Sequence, residues 1–210
     1  MADNYQALIP QWREKFLTLD ILDKARQLEL TVSGDSIYIS YYNRDYVVSV
    51  STGEIKNRRD PNAYIPHYDA LFIYHLFWFS KENPKVSGEM IPFRDVKGAA
   101  VFDPAFQKLV LKPLAREFNG RLNEFKAACE SLGGEPVSYG DAAYLITVCG
   151  KLKSSVIFWD GDDEFPATAN ILFDKNITDF THVDTVVTVG SDLAQAIIDA
   201  AGNKKGIKLV

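Results

Sequence analysis

The stretch that decides the fold is residues 154–174, which read Ser-Ser-Val-Ile-Phe-Trp-Asp-Gly-Asp-Asp-Glu-Phe-Pro-Ala-Thr-Ala-Asn-Ile-Leu-Phe-Asp. Residues 155–159 are short, β-branched and aromatic, and in residues 167–173 apolar side chains occupy every second position. A period of two residues is typical of a strand with one buried face. Asp160-Gly161 is a turn signal, and Pro166 ends the turn. The stretch therefore predicts a β-hairpin with an acidic tip.

The composition is that of an ordinary soluble globular protein. The chain has 210 residues, of which 47% are hydrophobic and 24% charged, and its net charge is -5. This mildly acidic balance argues against nonspecific nucleic-acid binding, which needs clustered Lys and Arg. The most apolar segment, Tyr68 to Phe79, is shorter than the roughly 20 residues that cross a bilayer. Since the start shows no basic region followed by an apolar stretch, we expect no membrane association and a cytoplasmic location.

Before residue 103 the patterns predict helices and a β-meander. Apolar residues at helical spacing indicate a helix from Asn4 to Phe16, in which Pro10 either kinks the segment or forms the first turn of its main part. Asp20 is placed to cap a second helix. The three strands of the meander are expected at Ser36 to Tyr42, Tyr46 to Ser51 and Glu54 to Lys56, with a loop at Asn43-Arg44-Asp45. Tyr68 to Phe79 is predicted as a buried helix.

After residue 102 two helices are expected before the hairpin. Asp103, followed by Pro104, is predicted to cap the first of them, and Leu122 to Leu132 forms the second, which Gly133-Gly134 closes. The segment from Thr181 to Val189 is ambiguous between helix and strand. Ser191 is predicted to cap a final helix that ends at Gly202.

These elements predict an α+β protein in which antiparallel or mixed sheet elements, the N-terminal meander and the C-terminal hairpin, pack with several helices. We expect residues 1–210 to form a single compact domain. Its two possible sub-parts are residues 1–102, helical with the β-meander, and residues 103–210, which hold the helical pair, the hairpin and the C-terminal helix.

No motif identifies a reaction or a cofactor. The glycines fit neither a P-loop nor a dinucleotide fingerprint, and no nucleophile and base can be paired from their spacing. Cys129 and Cys149 lie in apolar patterns and are predicted to be free, buried thiols. His75 lies within the apolar helix, so we interpret it as a core histidine rather than a ligand or base. No catalytic residue and no cofactor are predicted.

The acidic hairpin tip is the one dense cluster of ionisable groups, and oxygen-rich clusters are what calcium and magnesium require. The candidates for a metal or acid–base site are Asp160, Asp162, Asp163, Glu164 and His182. The alternative is a solvated turn whose charges oppose aggregation, and we favour it because the EF-hand spacing is absent. In that interpretation Asp160 and Glu164 accept hydrogen bonds from turn amides, and no metal binds.

Several motifs together resemble one family. Asp163-Glu164-Phe165-Pro166-Ala167, followed by Ile171-Leu172-Phe173-Asp174, resembles the signature of an uncharacterised bacterial and archaeal domain of unknown function, number 3786. The resemblance extends to Ile91-Pro92-Phe93-Arg94-Asp95 and to Pro113-Leu114-Ala115-Arg116-Glu117-Phe118. It implies occurrence in anaerobes and a possible link to corrinoid or iron–sulfur one-carbon chemistry. It carries over no catalytic residue.

From these observations we favour a noncatalytic binding or accessory protein of anaerobic metabolism, which acts on a small molecule or a protein partner that the sequence does not name. The alternative is an enzyme that uses the acidic tip for divalent-metal or acid–base chemistry. A third class, a structural interaction protein, would show a large exposed apolar patch.

Overall fold

The computed structural model describes residues 6–202, and in this part of the chain helices and two antiparallel sheets form an α+β fold, as predicted. The helices are α1 Ile9–Phe16, α2 Ile21–Gln27, α3 His67–Phe79, α4 Asp103–Phe106, α5 Lys112–Phe118, α6 Leu122–Ser131 and α7 Val183–Ala200, with a π-helical turn at Gln107–Leu111 between α4 and α5. The strands are β1 Thr31–Ser33, β2 Ser36–Tyr41, β3 Arg44–Ser49, β4 Ile55–Asn57, β5 Met90–Pro92, β6 Glu135–Val137, β7 Ala142–Cys149, β8 Leu152–Trp159 and β9 Thr168–Asp174.

The first sheet is the predicted meander with one strand added, in the order β1-β2-β3-β4. The loop predicted at Asn43-Arg44-Asp45 is wrong, because Arg44 already begins β3 and pairs with Tyr41. The turn is instead Tyr42-Asn43, and both residues have positive φ angles, 45° and 62°. Left-handed conformations at both central positions match the twist of a two-residue hairpin turn. A tyrosine rarely adopts such a conformation, so this turn was not visible as a turn signal.

The second sheet has the order β5-β9-β8-β7-β6, and the predicted hairpin, β8 with β9, lies at its centre. The alternating face of β9 is buried as expected, and Ile171 and Phe173 are fully covered. They face a layer formed by α5, α6 and α7. Aromatic rings fill the space between the layers, with Phe125 stacked on Phe158 at 4.9 Å between ring centroids.

Two predicted helix starts are wrong. Asp103 makes no side-chain capping hydrogen bond, because a 3-10 turn at Ala100–Phe102 already leads into α4 and Asp103 has helical backbone angles. Ser191 lies inside α7, where its hydroxyl donates to the Val187 carbonyl at 2.8 Å. Of the ambiguous segment from Thr181 to Val189, residues 183–189 are therefore the first part of one 18-residue helix.

Other predictions are confirmed. The side chain of Asp20 accepts a hydrogen bond from the Asp23 N–H at 3.0 Å at the start of α2, and Pro10 lies in the first turn of α1; residues 4 and 5 of that predicted helix lie outside the described part. Cys129 and Cys149 are free and buried. Burial raises the pKa of the Cys149 thiol to about 12, which keeps it protonated and unreactive.

His75 lies on α3 and is half-buried, next to Trp12 at 4.2 Å between ring centroids. Its Nδ1 is 2.7 Å from the Thr185 hydroxyl, so its partner is a side chain of α7 rather than a backbone carbonyl. Burial, with the nearby His182 and Lys15, lowers the pKa of His75 to about 4. No helix in residues 6–202 is long and apolar enough to span a membrane.

Tyr42 joins the two sheets. Its N–H donates to the Val148 carbonyl of β7 at 3.1 Å, beyond the point where the short β6 stops pairing with that strand. Its hydroxyl donates to the Val189 carbonyl of α7 at 2.8 Å. Buried apolar residues from Phe16 to Ile198 belong to one contiguous cluster around this junction. That residues 1–210 form a single domain stays a prediction.

A buried polar network surrounds the same junction. The Arg44 guanidinium is 2.8 Å from Asp69, which also accepts a hydrogen bond from the Tyr46 hydroxyl. The Tyr41 hydroxyl donates to Asp192 of α7 at 2.7 Å. Burial and the neighbouring Asp69 raise the pKa of Asp192 to about 7, although Tyr41 and Arg44 oppose the shift. Near neutral pH the Asp192 carboxyl of the folded protein therefore holds a proton that the same group releases in the unfolded chain.

We expect Gly190→Ala to destabilise the fold. A Cβ at this position of α7 would lie 2.6 Å from the ring of Phe106 and 2.9 Å from that of Phe173, both of which are buried. Overpacking costs about 1–3 kcal/mol, and with two buried rings this close we expect a cost above the gain of roughly 1 kcal/mol from replacing a helical glycine by alanine. Urea denaturation should show a lower midpoint with an unchanged slope. A higher midpoint would contradict the close packing.

We expect Asp192→Asn to flatten the pH dependence of stability. An unfolded Asp has a pKa of about 3.9, so between that pH and the folded pKa of about 7 the wild-type protein loses stability as the pH rises. Relative to wild type, the variant should gain roughly 2–4 kcal/mol between pH 4.5 and pH 7.5. Urea denaturation at the two pH values measures this gain. Asp163→Asn, at the exposed hairpin tip, controls for the loss of one negative charge, and a gain independent of pH would contradict the assignment.

Candidate functional site

A groove of about 750 Å³ lies between the N-terminal half of β9 and the helix formed by the π turn and α5. Its lining combines a floor of small and apolar side chains with a polar rim. The lining residues are Gln107, Leu111, Lys112, Ala115, Arg116, Asn119, Asp162, Pro166, Ala167, Thr168 and Ala169. This volume falls within the range of about 300–1,000 Å³ that is usual for ligand sites.

The strand side of the groove is open because its residues are small. Ala167 and Ala169 point toward the helix layer like Ile171 and Phe173, but their side chains end at Cβ. Across the groove Ala115 is equally short and is buried. Three alanines therefore leave space where the larger side chains farther along β9 fill it.

The helix side is shaped by Pro113. A proline has no N–H, and its ring would clash with the carbonyl four residues earlier in a regular α-helix. The chain widens into a π turn just before it, in which the Lys112 N–H donates to the Gln107 carbonyl. Such turns occur frequently at functional sites. The π turn brings Gln107 and Leu111 into the same lining as Ala115.

Two cations lie at the rim of the groove. Lys112 and Arg116 are exposed, and no carboxylate in residues 6–202 forms an ion pair with either of them. By contrast, Lys153 on β8 is 2.9 Å from Glu135, and Lys175, just after β9, is 2.9 Å from Glu89. The carboxylate of Asp162, which also lines the groove, is engaged in its own turn. The groove thus presents positive charge that a ligand can neutralise.

A smaller cavity of about 310 Å³ lies between α1, β4 and α3. Its charged rim residues already have partners, because Arg13 donates to the Thr52 carbonyl at 2.6 Å and Glu54 is 3.2 Å from Lys56. We therefore take the larger groove as the candidate binding site.

The hairpin tip is a turn in which two carboxylates have structural roles. Asp160 accepts hydrogen bonds from the N–H groups of Gly120 at 2.7 Å and Gly161 at 2.9 Å. Asp162 accepts from the N–H groups of Glu164 and Phe165 at 2.8 and 2.7 Å, and these bonds lower its pKa. The predicted role of Asp160 is confirmed, whereas the role predicted for Glu164 belongs to Asp162. Asp163 and Glu164 are exposed.

The fifth candidate, His182, does not join the tip. It caps α7, where its Nδ1 accepts a hydrogen bond from the Asp184 N–H at 3.3 Å, and its ring packs against Phe79. The tip precedes β9 and His182 follows it in the chain, and β9 spans about 20 Å from the tip to Asp174. In the part of the chain that the structure describes, no three His, Cys, Asp or Glu residues are placed to hold a metal ion.

Asp174, the last residue of the signature, is buried and has a structural role. Its carboxylate accepts hydrogen bonds from the N–H groups of Ser87 and Gly88 at 2.8–3.0 Å and from the Asn176 N–H at 2.9 Å. The signature therefore serves two purposes, since its first part borders the groove and its last residue holds the loop before β5.

Sequence reasoning missed the groove. Lys112 and Arg116 are four residues apart, so they lie on one helix face, but they do not form a contiguous basic cluster. A search for two cations four residues apart with an alanine between them could have found the helix side of the groove. The strand half lies about fifty residues later, and no local pattern indicates that it faces α5.

Residues 20–196 match the sequence model of a protein family described as a domain of unknown function. The chain therefore belongs to the family DUF3786, which confirms the resemblance. No curated protein and no solved structure is significantly similar to it. Segments that carry the resemblance, residues 113–118 and 163–167, face each other across the groove.

We expect no tight binding of calcium or magnesium at the tip. The Oδ1 atoms of Asp160 and Asp162 already accept backbone hydrogen bonds, so a cation would have to compete with them. Titration calorimetry with each ion should show no binding in the micromolar range. Micromolar binding that the double variant Asp162→Asn, Asp163→Asn abolishes would contradict this prediction and favour a metal site.

Proposed function

We propose that this DUF3786 protein is a noncatalytic binding or accessory protein and that the groove between β9 and α5 is its binding site. The observation that carries the proposal is the combination of an apolar floor with two cations, Lys112 and Arg116, that form no ion pair within residues 6–202. Such a surface fits a ligand that buries apolar atoms and presents negative charge to the rim.

The floor and the rim have different tasks. Burial of apolar surface contributes about 25 cal/mol per Å², so contacts with Leu111, Ala115, Ala167 and Ala169 supply affinity but do not orient the ligand. Arg116 offers a planar fork of donors for a carboxylate or phosphate, and Lys112 adds a point charge. Together they orient the anionic part of the ligand.

The chemistry of the lining supports binding rather than catalysis. None of the described lining residues is a histidine, cysteine or serine, and the one carboxylate, Asp162, is held by turn amides. Lys112 and Thr168 are the other lining groups of the kind that acid–base or nucleophilic catalysis uses, and in residues 6–202 neither side chain is hydrogen-bonded to a second such group that would activate it. No arrangement at the tip favours the alternative of an enzyme.

The remaining expectations belong to this proposal. A cytoplasmic location, a place in anaerobic metabolism, the link to corrinoid or iron–sulfur chemistry and the lack of nucleic-acid binding stay predictions. They rest on composition and on what the family resemblance implied.

We expect the groove to bind 8-anilinonaphthalene-1-sulfonate at one saturable site, because this dye combines an apolar ring system with an anion. Lys112→Glu should weaken binding about tenfold through the loss of a charged hydrogen bond. Fluorescence titration measures the affinity. Lys108→Glu is the matched control, since Lys108 is exposed one turn earlier and does not line the groove.

Equal dye affinities for Lys112→Glu and Lys108→Glu, or no saturable binding to the wild-type protein, would contradict the proposal. Circular dichroism and the urea midpoint verify that both variants are folded. Chemical-shift mapping of the dye should perturb the amides of Ala167 and Ala169.

A further inference from the structure

One edge of β9 lacks a neighbour along half its length. On one side β8 pairs with Thr168 to Phe173, but on the other side β5 pairs only with Leu172 to Asp174. Pro92 ends β5 because it has no N–H to donate, and a 3-10 turn at Phe93–Asp95 leads the chain away. In the part of the chain that the structure describes, no strand pairs with residues 168–171 on this side.

The backbone of Ala169 points to this open edge. The Lys175 N–H donates to the Glu89 carbonyl on the β5 side. The backbone N–H and C=O groups of residues two apart along a strand point to the same side, so those of Ala169 also point to the β5 side. Phe158 of β8 lies opposite Ala169, and its carbonyl accepts a hydrogen bond from the Asp141 N–H beside β7. The backbone groups of Phe158 therefore point to β7, and they do not bond to Ala169. No hydrogen bond within residues 6–202 satisfies the Ala169 N–H or carbonyl on the open side.

The open edge lies in the groove. Thr168 and Ala169, the first two residues of β9, both line the groove, as do Pro166 and Ala167 just before the strand, although alternate side chains of a strand point to opposite faces. A groove that touches them all must reach the strand from its edge. The opposite wall is a helix stripe of Gln107, Leu111, Ala115 and Asn119. Strand edges beside a helix-lined groove are a recurring site for the addition of an extended peptide.

We propose that the occupant of the groove is an extended acidic segment of a partner protein, which adds to β9 as an antiparallel strand in line with β5. This inference rests on the proposed function, since it identifies the class of ligand for the same groove. A peptide in this position would hydrogen-bond to Ala169 and fill the space above the alanines.

The spacing of the two cations defines the pattern of acidic residues. Lys112 and Arg116 are four residues apart, which separates them by about 6 Å along the helix. Alternate residues of an extended strand are about 6.6 Å apart and point to the same face. The segment should therefore carry Asp or Glu at alternate positions that face α5. The residues between them point away from the helix.

The test uses two blocked, fluorescein-labelled octapeptides of equal composition. In one, Glu and Val alternate; in the other, four Glu residues precede four Val residues. Fluorescence anisotropy should show at least about tenfold tighter binding of the alternating peptide, as expected if one further charged contact forms. Lys112→Glu and Arg116→Glu should each remove this preference, and Lys108→Glu should leave it unchanged.

Backbone methylation tests the strand addition itself. In an antiparallel ladder the residues opposite Ala169 share its face and direct their N–H groups to β9. N-methylation of the Glu residues should therefore abolish binding of the alternating peptide, whereas N-methylation of the Val residues should preserve it. Equal effects of the two methylations, or loss only on Val methylation, would overturn the antiparallel arrangement.

The outcomes separate this inference from the proposed function. If the dye binds at Lys112 and neither peptide binds, the groove is a binding site but its occupant is not an acidic strand. If the peptides and the dye both fail, both proposals fail. If sedimentation shows a dimer of the wild-type chain that Lys112→Glu abolishes, a second copy occupies the groove and the partner segment is overturned.

Discussion

The hydrogen bonds of Tyr42 are the interaction on which the arrangement of the two sheets depends. The residue occupies a left-handed conformation that costs free energy for a bulky side chain, of order 1–3 kcal/mol, so its surroundings must maintain it. Its N–H reaches β7 of the second sheet and its hydroxyl reaches α7. Together with the hydrogen bond from Tyr41 to Asp192, these bonds hold the hairpin of β2 and β3 against β7 and α7 of the C-terminal half. The nearby carboxylates of Asp192 and Asp69 accept hydrogen bonds from the buried hydroxyls of Tyr41 and Tyr46.

A different constraint creates the groove. The core is densely filled with aromatic rings where Phe106, Phe158 and Phe173 meet the helices, and it thins out toward the hairpin tip, where alanines replace them. Two prolines limit the elements that could close the space. Pro92 stops β5 before it covers the whole of β9, and Pro113 displaces the helix through the π turn. The open site therefore results from residues that remove atoms or hydrogen bonds, rather than from a cluster of reactive side chains.

Local patterns predicted the elements whose stability is set locally. The β8–β9 hairpin, α3, α6 and the Asp20 cap follow from periodicity, burial and one side-chain hydrogen bond. Predictions failed where a neighbouring segment overrides the local signal. Asp103 resembles a cap, but the helical turn before it supplies the first amides, and Ser191 resembles a cap although α7 has already begun at Val183. The turn at Tyr42 depends on contacts with β7 and α7, more than a hundred residues later. The groove joins segments about fifty residues apart, so no local pattern could show it.

The π turn also makes helix length a determinant of the site. Each residue turns an α-helix by about 100°, and the π turn accommodates one residue more than a regular turn between Phe106, which faces the core, and α5. That surplus residue sets the angle at which Leu114 and Phe118 enter the core while Lys112 and Arg116 remain at the rim. The loss of one residue here would rotate α5 by about 100° and turn Leu114 and Phe118 away from the core, although every side chain of the site would still be present. In a related chain, a deletion in this segment should therefore alter the site as much as the substitution of a lining residue.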